Sequence, residues 1–160
     1  MKNIFKKIYN IEMNFNIKLL IGVFGIILLN SCTTYFIPMQ SFKEQFSQID
    51  STKFKMVKVK GPLGEKYNYL SNSVKKIKCE DAKGNKFELE NSPSIEIRIT
   101  SGKNNTRNVC YFDRIFVNDT CVIGVQSRFI SPIKKTILLK DITKIEVQDG
   151  GKKFYYVPIN

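Results

Sequence analysis

The chain has 160 residues, with 26 Lys and Arg against 14 Asp and Glu, no histidine, and a net charge of +12 at neutral pH. Without imidazole, Cys–His nucleophile pairs and most zinc sites are excluded, and neither G-x-x-x-x-G-K-[ST] nor G-x-G-x-x-G is present to cradle phosphates. The length suits one domain around one core, and the basic excess favours anionic partners.

The first element is a basic lead with Lys2, Lys6, Lys7 and Lys18, then an uncharged stretch from Leu19 to Leu29, then Asn30-Ser31-Cys32. That is the layout of a secretory signal. The apolar stretch of 11 residues falls short of the roughly 20 that cross a bilayer as a helix. Extending it meets Lys18 on one side, with an insertion cost of about 2.5–3.5 kcal/mol at a helix centre, and Asn30, Ser31, Thr33 and Thr34 on the other. A transmembrane anchor is the alternative, and it buries polar groups at both ends.

Leu29-Asn30-Ser31-Cys32 resembles the lipobox of bacterial lipoproteins: an aliphatic residue three before the cysteine, a small one just before it, then Cys32. Asn30 departs from the usual middle residue. The resemblance implies a diacylglyceryl thioether on Cys32 Sγ, cleavage between Ser31 and Cys32, and acylation of the new amino group by a fatty acid such as palmitate. It also implies an outer-membrane address with the domain facing the periplasm, because Thr33 and Thr34 lack the aspartate that holds some lipoproteins at the inner membrane. Residues 1–31 would be removed. Met13 opens a compact signal of its own, and either start leaves the same mature chain from Cys32 to Asn160. Losing four lysines and one glutamate lowers the net charge to about +9. In an envelope, the anionic partners are phospholipid head groups, lipopolysaccharide phosphates and peptidoglycan carboxylates. Lysine greatly outnumbers arginine and makes a poor bidentate phosphate fork, so the charge reads as diffuse.

Residues 32–40 read as the lipidated cysteine and a short tether, with Pro38 disfavouring helix before it. The single domain then runs over 41–160. Ser41-Phe42-Lys43-Glu44 has the form of a capping box, and Phe42, Phe46 and Ile49 fall on one helical face, predicting a helix over 42–50. From Lys53 onward the apolar period becomes two and breakers recur every 8–12 residues or so, as in all-β domains. Ile77 and Cys79 alternate with charges, "DAKGN" turns, and Phe87 and Leu89 alternate with Lys86, Glu88 and Glu90, predicting a hairpin. "SIEIRIT" is a strand with Ile95, Ile97 and Ile99 inward and Glu96, Arg98 and Thr100 toward water. "SGKNN" turns it back into "RNVCYF". "RIFVNDTCVIGV" is a further hairpin, with Asn118-Asp119 suited to positive φ. After "SRFISP", Ile137 and Leu139 keep strand spacing, Ile142, Ile145 and Val147 suggest one helical turn between two strands, and "QDGGK" makes a last hairpin. This tail is similar to the closing strands of small Sm-like or SH3-like barrels.

If Cys32 is lipidated, Cys79, Cys110 and Cys121 remain, and three thiols cannot all pair within one chain. Each has apolar neighbours, as small buried hydrophobes do. A bridge between Cys110 and Cys121 is the pairing the sequence allows most readily.

Patterns that resemble catalysis fail on context. Ser73-Val74-Lys75-Lys76 and Ser131-Pro132-Ile133-Lys134 match S-x-x-K without its companion motifs or a helix start. Glu88 and Glu90 share a strand face opposite Lys76 and Lys78, which cross-strand ion pairing explains. Asp149-Gly150-Gly151 lacks the ligand ladder of a calcium loop. Tyr111, Phe112, Phe116, Tyr155 and Tyr156, with Arg107 and Arg114, could form a stacking platform, although strands favour aromatics in any case.

The expectation is an all-β domain, a small barrel or sandwich of roughly nine to ten strands, after one short helix and the signal segment. No catalytic residue, cofactor or metal is assigned. The function read from this is a membrane-anchored envelope lipoprotein acting as a binding or assembly module. Its partner would be an envelope protein or an anionic glycan, with no nucleic acid expected. A cell-wall hydrolase using Glu88 or Ser73 is the alternative. The sequence does not state an oligomeric state.

Overall fold

The computed structural model describes residues 33–47, 49, 54–72, 74–128 and 133–159. The expected signal segment 1–31, Cys32, Ser73 and Ser131 lie outside them. Twelve strands and one α-helix are present among the described residues: β1 (Thr34–Phe36), α1 (Met39–Ser47), β2 (Lys55–Lys60), β3 (Lys66–Ser71), β4 (Lys76–Glu80), β5 (Lys86–Glu90), β6 (Ile95–Ser101), β7 (Thr106–Tyr111), β8 (Ile115–Val117), β9 (Cys121–Val125), β10 (Lys134–Leu138), β11 (Ile142–Asp149) and β12 (Tyr155–Val157). The fold is all-β, with more strands than the alternation announced. The added strand β1, three residues long and inside the expected tether, is too short to show a period of two.

The strands form a six-stranded sheet in the order β5-β4-β1-β11-β6-β7 and two three-stranded sheets, β10-β9-β8 and β12-β2-β3. They do not close into a barrel. The expected tether therefore carries an internal strand. Thr34, Tyr35 and Phe36 pair with Gln148, Val147 and Glu146 on one side, and Phe36 pairs with Glu80 on the other.

One-turn 3₁₀ helices at Phe112–Arg114 and Leu139–Asp141 mark where the chain leaves the six-stranded sheet for β8-β9-β10 and where it returns. The helical turn expected at Ile142, Ile145 and Val147 stands earlier, at Leu139–Asp141, and those three residues belong to strand β11. "QDGGK" is no hairpin: β11 ends at Asp149 on the six-stranded sheet, whereas Tyr155 pairs with Lys60 on the other. The turn at 118–121 also differs in mechanism. Asn118 does not take positive φ, which among non-glycines belongs to Asn105 in the "SGKNN" turn beside Gly102. Instead its Oδ1 accepts from the Thr120 and Cys121 amides at 3.0 and 2.7 Å, a side chain mimicking a backbone turn.

Helix α1 starts at Met39, three residues before the expected start at Phe42. Pro38 supplies the first acceptor, with Phe42 N donating to Pro38 O at 2.8 Å, because its ring presets the backbone for a helix start. Ser41 lies inside the first turn, yet the apolar face was read correctly: Phe42 and Phe46 are buried and Ile49 packs beside them. They join Ile77 and Cys79 of β4, Ile95, Ile97 and Ile99 of β6, Ile145 and Val147 of β11, and Ile115, Val122 and Ile137 of the β8-β9-β10 sheet in one core. Each fully buried aliphatic side chain contributes about 1.5–3 kcal/mol relative to exposure. A smaller cluster, Val59, Tyr69 and Phe154, lies under β12-β2-β3.

Candidate functional site

A depression of about 530 Å³ runs between α1 and the β4–β5 hairpin, bordered by Gln40, Glu44, Lys78, Glu80, Lys86 and Phe87. Its geometry follows from the brevity of β1. Beyond Phe36 no strand residue remains to pair with Lys78, and Gln45 of α1 takes that place. Lys78 N donates to Gln45 Oε1 at 2.8 Å, and Gln45 Nε2 donates to Lys78 O at 3.0 Å. A side-chain amide thus continues the ladder and sets the helix at a fixed distance from the hairpin. Phe87, packed on Tyr35 with ring centroids 5.1 Å apart, is the aromatic surface of this groove. The carboxylates of Glu44, Glu80 and Glu88 and the ammonium groups of Lys78 and Lys86 give it mixed charge.

The hairpin register pairs Lys76 with Glu90 and Lys78 with Glu88, as the sequence suggested. Lys76 Nζ lies diagonally 3.2 Å from Glu88 Oε2. Glu88 borders the α1 groove, whereas Glu90 borders a separate depression with Lys55, Asn72 and Tyr156. The two carboxylates therefore do not flank one substrate position.

The second assembly is a buried polar knot where the three sheets meet. Asp113, in the turn after β7, accepts from Tyr69 Oη at 2.6 Å, Tyr156 Oη at 3.0 Å and Arg128 Nη2 at 3.1 Å. Arg128 also donates to Tyr69 Oη and to Pro93 O, and its guanidinium lies 3.8 Å above the Tyr111 ring. Arg114 covers Tyr69 at 4.6 Å and donates to Ser127 O at 2.8 Å. Burial, then the adjacent Asp113 charge, pushes the Tyr69 and Tyr156 hydroxyls well above the ordinary phenol range. Burial shifts Arg114 downward.

The aromatic residues weighed as a stacking platform are not gathered on one open face. Tyr111 and Tyr156 join Arg114 in the knot, Phe112 lies in the core, Phe116 packs on Phe54, and Arg107 lies 3.8 Å from Glu146. Only Tyr155 presents a largely open ring. Arg128 carried no pattern in sequence. An isolated arginine after a strand is indistinguishable from a surface one until its partners are in place.

Glu96, expected to face water, is mostly covered and receives Lys152 Nζ at 2.8 Å. Lys152 also donates to Tyr111 Oη at 3.2 Å. Burial opposes the Lys152 charge, but these contacts outweigh it and raise its pKa.

Cys79, Cys110 and Cys121 are free and buried. The Cys110–Cys121 bridge does not form because Cys110 Sγ lies against Gly124 of β9, 2.3 Å from where a Cβ would stand there. Cys121 is three residues away, about 10 Å along the strand and on its opposite face, beyond disulfide reach. Burial pushes the Cys79 and Cys110 thiols up to about 11. No group of three metal-ligating side chains occurs among the described residues, and no described helix is long and apolar enough to cross a membrane.

The chain matches no protein-family profile, no curated protein and no solved structure.

Proposed function

We propose that this chain is a lipid-anchored protein of the bacterial cell envelope, acylated at Cys32 after cleavage behind Ser31 and placed on the periplasmic side of the outer membrane. Its domain acts there as a non-catalytic binding or assembly module. The Leu29-Asn30-Ser31-Cys32 motif supports the anchor. The observation that carries the reading is the position of β1, whose first residue, Thr34, follows Cys32 by two residues and already belongs to the six-stranded sheet. Two extended residues span about 7 Å, so an acyl group at Cys32 would hold the folded domain directly against the bilayer. The groove between α1 and β4–β5 is the module's contact site. Its balanced charges and exposed Phe87 suit a segment of an envelope protein better than a polyanionic glycan.

Intact mass and detergent-phase partition of the wild type beside Cys32→Ala test this reading. Loss of residues 1–31, added acyl mass and detergent partition, all abolished by the substitution, are expected. An uncleaved, unacylated chain overturns it.

A further inference from the structure

Part of the charge that read as diffuse stands on one sheet with no carboxylate beside it on the strands. Strands β2, β3 and β12 carry Lys55, Lys58, Lys60 and Lys66 and no carboxylate. The register sets Tyr155, Lys60 and Lys66 in one row, Val157, Lys58 and Asn68 in the next, and Met56 beside Leu70 in the third. All these residues share the outer face, because the alternate residues Val59 and Tyr69 are buried beneath. Lys58, Lys60 and Lys66 make no ion pair with any described carboxylate. Glu65, in the β2–β3 turn, is engaged there, accepting from Leu63 N at 2.8 Å. At that turn Leu63 is 94% exposed, and Tyr155, Met56 and Leu70 are 59%, 56% and 43% exposed.

Lys152 ties this sheet to the row in which the chain enters the six-stranded sheet. Thr34, Gln148, Glu96 and Tyr111 form that cross-strand row, Lys152 Nζ is bound to Glu96 and Tyr111 in it, and Tyr155, three positions after Lys152, opens the row of Lys60 and Lys66.

We propose that the outer face of β12-β2-β3 docks onto an anionic phospholipid bilayer, with Lys58, Lys60 and Lys66 on head-group phosphates and Leu63 and Tyr155 in the interfacial layer. The proposal rests on the reading of the chain as membrane-anchored. Unpaired lysines beside exposed apolar side chains are what such a surface attracts: the negative potential acts on the ammonium groups, and tyrosine and leucine partition into the head-group boundary.

The full-length protein, reconstituted in phosphatidylcholine vesicles with and without phosphatidylglycerol, tests this by reductive methylation, with each lysine quantified by mass spectrometry. Methylation of Lys58, Lys60 and Lys66 should slow at least about fivefold in the anionic vesicles, the factor that one lysine near such a surface represents. High salt should restore it. Exposed Lys134, Lys135 and Lys140 on the β8-β9-β10 side should react equally in both vesicles. Leu63→Ser with Tyr155→Ser, both on exposed positions, should weaken the protection. Equal methylation of the three lysines in both vesicle types overturns the proposal, as does protection that appears only after lipopolysaccharide or an envelope protein is added. An acylated chain and one held by an uncleaved span both present this face, so mass at Cys32 and protection at the lysines can fail separately.

Discussion

Asp113 and Arg128 form an ion pair, Oδ1 to Nη2 3.1 Å, with neither side chain exposed to solvent. It joins the corner after β7 to the segment after β9, and through Tyr69 and Tyr156 it reaches the β12-β2-β3 sheet. The three sheets are thereby fastened at one point by charge-assisted hydrogen bonds, which are about twice as strong as neutral ones. Removing one partner leaves the other charge buried without compensation. Asp113→Ala and Arg128→Met should each destabilise the domain by about 3–5 kcal/mol, read as a lower urea midpoint. The double variant should lose less than the sum of the two. Additive losses would show that the two groups act independently.

The buried thiols make stability depend on pH. Cys79 and Cys110 titrate near 11 in the fold against an ordinary value near 9. The unfolded chain therefore releases these protons first as pH rises. Stability is full below about pH 9 and declines between 9 and 11. Urea midpoints should fall across that window, and Cys79→Ala with Cys110→Ala should flatten the slope there. In the native protein at pH 8 the three described thiols should react slowly with a thiol reagent, becoming fully reactive in denaturant.

Close packing of Cys110 under Gly124 leaves no room for a side chain. A Cβ there would stand 2.3 Å from Cys110 Sγ. Gly124→Ala should therefore destabilise by about 1–3 kcal/mol, as overpacked cores do. Cys110→Ala in the same chain should recover part of the loss, since it removes the sulfur that is struck. Thermal unfolding of the four forms measures the recovery.

The Gln45 amide, standing in for strand residues opposite Lys78, gives a graded prediction. Gln45→Glu keeps the acceptor and loses the donor, whereas Gln45→Ala loses both. Each bond is worth about 1 kcal/mol net. Hydrogen exchange at the Lys78 amide should quicken in Gln45→Ala and stay slower in Gln45→Glu. Equal exchange in all forms would mean that the helix is held by Phe42 and Phe46 alone.

Local periodicity by itself determined the all-β class, the β4–β5 hairpin with its Lys–Glu register, the inward face of β6 and the Phe42–Phe46–Ile49 stripe. Each is written in spacings of two to four residues, where side-chain direction follows from backbone geometry alone. The tertiary structure alone decided which sheet each strand joins. Nothing within "TTYFIP" states that Thr34–Phe36 will lie between β4 and β11, and nothing in "QDGGK" states that Tyr155 will cross to β2. Both choices depend on partners far along the chain, Gln148 for Thr34 and Lys60 for Tyr155. The same holds for Arg128, whose partners arrive from β3, from β7, from the segment before β12 and from the turns before β6 and after β7, and for Lys58, Lys60 and Lys66. As sequence, those lysines are part of a general basic excess. They become one unopposed face only when strand pairing aligns them, because burial and charge are properties of the packed neighbours and not of the residue itself.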